Sequence, residues 1–109
     1  MSAATEAPTT DVFALLLVEN IDDPDTYRQY ERGFDRDHFK QMGGELLVKS
    51  ESPKEIEGTW THQRVVLLRF PSQEHFDTWY ASPEYSAVKG LRLASGPMAM
   101  ACFAAGRGV

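Results

Sequence analysis

At 109 residues the chain is one domain's length, and a chain of this size buries roughly 65% of the surface its unfolded form exposes, enough for a core without disulfides or a structural metal. With 42% apolar and 25% charged residues it has an ordinary globular composition, and eleven Lys and Arg against sixteen Asp and Glu, a net charge of −5, argue against binding nucleic acid by phosphate neutralisation. A single cysteine excludes an internal disulfide and a cysteine-based zinc site, and the longest apolar run, Val12 to Val18, is far short of the about 20 residues of a membrane span.

The first ten residues are small and polar, with neither a basic nor a hydrophobic leader segment, so a disordered tail over 1–10 and a cytoplasmic location are expected. Val12 to Glu19 reads as a strand whose two faces are both apolar. Asp23 followed by Pro24 is a cap and first residue of a helix, expected to run to about Met42, where Gly43 and Gly44 stop it. Glu45 to Ser50 makes a second strand. A polar excursion through Ser52-Pro53 and Glu57-Gly58 leads to a third, Gln63 to Phe70. Ser72 caps a second helical segment, Ser82-Pro83 restarts it, and Gly96-Pro97 ends it. Met98 to Ala104 is the fourth strand, followed by a loose end over 106–109.

The order β-α-β-β-α-β is the ferredoxin-like arrangement: an α+β fold with a four-stranded antiparallel sheet and helices on one face, here as one domain over 11–105. Strands one and four are apolar on both sides, so the second sheet face must also be covered. The simplest cover is the same sheet of a second copy, which predicts a homodimer through sheet faces.

Several stretches carry a family resemblance: Asp23-Pro24 with Tyr27 and Tyr30, Gly43-Gly44, Glu57-Gly58-Thr59-Trp60 leading into Arg64, Phe70-Pro71-Ser72, Trp79-Tyr80, Ser82-Pro83-Glu84-Tyr85, and Arg92. In these the chain resembles the domain of unknown function 1330, within the dimeric α+β barrel superfamily. The resemblance implies a dimer and a pocket between helices and sheet. Superfamily relatives include cofactor-free monooxygenases, polyketide cyclases, lactone isomerases and haem-dependent enzymes, so it does not imply one reaction.

A period of 3.6 puts Tyr27, Tyr30, Phe34, His38 and Met42 on one face of the first helix, with Glu31 near it. An imidazole in an apolar cavity with a phenol two turns away makes an acid/base pair, with His38 the expected base and Tyr30 its hydrogen-bonding partner. A core histidine bonded to a backbone carbonyl is the competing assignment. Alternation places Trp60, His62 and Arg64 on one face with Val66 and Leu68, and Arg64 beside a tryptophan can clamp a carboxylate or enolate oxygen, or else pair with an acidic side chain. Aromatic residues at helical spacing are first of all core, but Phe34, Trp79 and Tyr85, with Trp60 beside Arg64, are also the rings expected to line a substrate pocket. His38, His62 and His75 lack metal-ligand spacing, and Cys102 lies in an apolar strand without a basic neighbour.

These residues lead to the expectation of a cofactor-independent enzyme of the proton-transfer type, an isomerase, cyclase or monooxygenase-like protein, acting on a small, partly apolar, anionic or enolisable substrate. The alternative is a non-catalytic ligand-binding or accessory dimer. Haem binding would need an axial histidine with an open face. His38 is the candidate, and no second signal supports it.

Overall fold

The computed structural model describes residues 10–106. Four strands, β1 (Val12–Val18), β2 (Glu45–Ser50), β3 (Arg64–Phe70) and β4 (Met98–Ala104), form one sheet in the order β2-β3-β1-β4. All neighbouring pairs are antiparallel. Four helices, α1 (Pro24–Gly33), α2 (Arg36–Gln41), α3 (Gln73–Tyr80) and α4 (Pro83–Ala94), complete the ferredoxin-like α+β fold. Of the expected loose ends, residues 1–9 and 107–109 lie outside the described residues. Thr10 donates its hydroxyl to the Pro71 carbonyl at 2.7 Å, and Ala105 N–H reaches Asp11 O at 3.3 Å.

Alternation along the central strand divides the molecule. Val12, Ala14, Leu16 and Val18 are buried against the helices, together with Leu68 and Phe70 of β3. Phe13, Leu15 and Leu17 point the other way. In the register, Leu15 lies between Leu67 and Ala101, and Leu17 between Val65 and Ala99. Phe13 packs near Phe103, which is 45% exposed. This second face is apolar, and no element of the described chain covers it. β2 is an edge strand with a bulge between Leu46 and Val48.

Helix boundaries follow local chemistry. The Asp23 carboxylate accepts from Thr26 Oγ1 at 2.7 Å and from Thr26 N–H at 3.1 Å, and these bonds hold its pKa below the ordinary carboxyl value. Ser72 and Ser82 cap α3 and α4 in the same way, through His75 N–H and Tyr85 N–H. Gly43, at φ 91°, turns the chain out of α2 in a conformation that costs a glycine least.

The helix expected to run unbroken to Met42 is two helices. Phe34 adopts extended backbone (φ −66°, ψ 119°), and the Asp35 carboxylate restarts the helix by accepting His38 N–H at 3.0 Å. The apolar stripe therefore breaks after Phe34. Phe39 takes the buried position and His38 turns aside.

Candidate active site

Between the helices and the sheet lies a cavity of about 800 Å³. Its floor is apolar and aromatic: Leu16 and Leu68 from the sheet, with Tyr27, Tyr30, Phe39, Trp79 and Tyr85 from the helices, all buried. Phe34 is the ring at which these meet. It stands 6.1 Å from Tyr30, 5.4 Å from Phe39 and 6.0 Å from both Trp79 and Tyr85. The break between α1 and α2 is what frees Phe34 to take this place. Trp79 and Tyr85 lie ring on ring at 4.1 Å, because Ser82 fastens the corner between α3 and α4: its hydroxyl donates to Trp79 O at 2.6 Å and accepts Tyr85 N–H at 3.2 Å.

The cavity's exposed lining is charged. Arg36 and Lys40, one turn apart on α2, face Glu45, Leu46 and Lys49 of β2. Glu31 accepts from Lys49 at 2.9 Å and lies 3.5 Å from Arg64, while Glu45 pairs with Arg69. Arg36 and Lys40 have no ion-pair partner among the described residues. The opening therefore carries uncompensated positive charge above an aromatic floor.

Of the residues singled out from sequence, Tyr30, Phe34, Trp79 and Tyr85 come together here. Arg64 stands one layer behind the wall. It is 4.9 Å above the Tyr27 ring and paired with the acidic side chains Glu31 and, at 3.0 Å, Glu51. His38 is not among the lining residues; its Nε2 lies 3.5 Å from a Glu84 carboxylate oxygen, and its buried Nδ1 has no partner.

Trp60 is on the opposite side of the sheet, with Val48 and Val65, beside a second hollow of about 460 Å³. The expected alternation holds for Arg64, Val66 and Leu68 but does not extend back to Trp60, because side chains alternate only in extended strand and β3 begins at Arg64. Among the described residues no three His, Cys, Asp or Glu side chains gather as a metal site.

One further buried group, Arg92, carries no functional signal of its own in the sequence. Arg92 is 2% exposed, and its Nε donates to Tyr85 Oη at 3.0 Å. Tyr85 Oη in turn lies 3.0 Å from Tyr30 Oη. The available signal was the seven-residue spacing of Tyr85 and Arg92, two helical turns on one face.

The family model described as a domain of unknown function (DUF1330) matches residues 11–105. The chain belongs to that family. No curated protein matches it significantly. Among solved structures, the DUF1330 chain is similar to RPA0582 of Rhodopseudomonas palustris, a protein of unknown function, at 18% identity and TM-score 0.74, over 96% of this chain and 88% of that one. A dimeric, ferredoxin-like protein of unknown function from Bacteroides fragilis aligns at 11% identity and TM-score 0.54, over 90% and 99% of the two chains. SnoaB of Streptomyces nogalater, a cofactor-independent oxygenase, aligns at 13% identity and TM-score 0.55, over 94% and 98%. At these identities the likeness is one of fold. In the DUF1330 chain, no helix among the described residues is long and apolar enough to cross a membrane.

Proposed function

We propose that this protein is a cofactor-independent enzyme that moves a proton on a small, partly apolar, anionic or enolisable ring compound, as an isomerase or cyclase does in its first step. The observation that carries this is the joining of an aromatic cavity floor to the unpaired cations Arg36 and Lys40 at its opening. Rings of a substrate stack on the floor, and an anionic group is drawn to the rim. Glu31, a carboxylate in the cavity lining, is the group placed to take a proton from carbon. Arg64 positions it from behind. SnoaB's cofactor-independent oxygenase description lends support on the side of fold.

The proposal includes a second copy of the chain packed on the apolar sheet face of β1, β3 and β4. The dimeric description of the Bacteroides fragilis protein supports it.

A second reading, a non-catalytic ligand-binding dimer, is favoured by one feature: Glu31 is already engaged by Lys49 and Arg64. Exchange of the α-protons of 2-tetralone into D2O, followed by NMR, separates the two. The expected outcome is accelerated exchange that falls by about 100-fold in Glu31→Gln, the scale of a general base. Binding of 2-naphthoate with no accelerated exchange would establish the binding protein instead.

A further inference from the structure

A guanidinium stays charged in proteins and has donors only. Arg92 is nonetheless buried, with no carboxylate ion pair among the described residues. Its Nη1 meets only the weakly accepting sulfur of Met98 at 3.4 Å, and its Nε donates to Tyr85 Oη at 3.0 Å. Because Arg92 can only donate, the Tyr85 oxygen is the acceptor of that bond. The Tyr85 and Tyr30 hydroxyls lie 3.0 Å apart and either can donate; the chain runs in one direction when Tyr85 gives its proton to Tyr30 Oη. This leaves the Tyr30 proton at the end of a directed chain, on a residue that lines the cavity.

Such a chain has a definite chemical use. Each hydrogen bond polarises the next, and the buried cation at its head strengthens the last donor without placing a full charge against a ligand. Burial, followed by the neighbouring Tyr85, raises the Tyr30 pKa far above the ordinary phenol value, so Tyr30 keeps its proton and acts as a donor. One O–H suits one charged oxygen. A carboxylate placed there would leave its second oxygen over apolar rings.

We infer that Arg92, Tyr85 and Tyr30 form an oxyanion site, in which a bound phenolate or enolate places its charged oxygen on Tyr30 Oη and its ring beside Phe34. This rests on the reading of the cavity as a small-molecule site. Tyr30 takes the ligand's charged oxygen, while Arg92 and the hydroxyl of Tyr85, whose ring also belongs to the cavity floor, act on that oxygen through Tyr30. The other charged or titratable groups facing the ligand are Tyr27, Glu31, Arg36, Lys40, Glu45 and Lys49. Arg36 and Lys40 also favour anions, so the test must isolate the phenol.

4-Nitrophenol is a suitable probe because its phenolate is yellow and its phenol is not. Titrated with the protein just below its own pKa, it is expected to turn yellow on binding, with the phenolate preferred by about tenfold or more. In Tyr30→Phe, which keeps the ring and the rim cations, that preference is expected to fall by about tenfold while the neutral phenol still binds. Tyr85→Phe and Arg92→Met should each reproduce the loss, and Tyr85→Phe keeps the inference testable if Arg92→Met does not fold. An equal preference in the wild type and Tyr30→Phe would overturn the oxyanion site and leave the cavity reading intact. Failure of the wild type to bind either form would overturn both.

Discussion

Gly44 shows how closely single residues control the cavity. A Cβ built there would run into the Phe39 ring, which packs against Phe34, Phe70 and Trp79. Gly44→Ala is therefore expected to push Phe39 toward the cavity, at an overpacking cost of about 1–3 kcal/mol. A melting curve and a 2-naphthoate titration on the same variant check this; unchanged melting with unchanged affinity would show that the ring yields freely. Residues at this scale were unequally legible in the sequence. Tyr30, Phe34, Trp79 and Tyr85 declared themselves through aromatic character and helical spacing. The importance of Arg92 did not, since a buried guanidinium looks like a surface one until the elements around it are packed. His38 misled in the opposite sense: its spacing from Phe34 matched a helix that the backbone interrupts between them.

That interruption belongs to the elements. Gly33-Phe34-Asp35 is a stop, a linker and a new cap, but Phe34 continues the apolar period and so conceals the break. Where the cap preceded a proline the boundary was plain, as at Asp23-Pro24 and Ser82-Pro83. Strand edges were equally readable wherever Gly or Pro bounded an apolar run. The bulge at Leu47 was not, because register depends on the neighbouring strand. Ser82 ties two elements, its hydroxyl capping α4 while bonding the last turn of α3, beside its own backbone N–H to Trp79 O at 3.0 Å. Ser82→Ala is expected to cost about 0.5–2 kcal/mol, the range for a lost helix cap, and to loosen the contact between Trp79 and Tyr85. Thermal unfolding measures the first effect, and the near-UV circular dichroism of these rings reports the second. An unaltered spectrum in a destabilised variant would confine Ser82 to a capping role.

The whole molecule is a sheet with two different faces, one turned to the helices and cavity, the other bare and apolar. Leu67 sits near the middle of the bare face, paired with Leu15. In the proposed dimer, Leu67→Glu places like charges where two sheets meet, and sedimentation is expected to show the variant as a monomer of half the wild-type mass. A wild type that sediments as a 12.2 kDa monomer at micromolar concentration would refute the assembly. The arrangement of charge carries a different consequence. The chain as a whole is −5, yet Arg36 and Lys40 stand unpaired at the cavity opening. At physiological ionic strength the Debye length is about 8 Å, so mobile ions hide most of the net charge from an approaching solute. An anion in dilute buffer meets a repelling body, whereas in saline it is insensible to that body until it comes within a few ångströms of the two cations. Modest salt thus aids approach by cancelling distant repulsion, and only concentrated salt, whose screening reaches inside the opening itself, opposes capture.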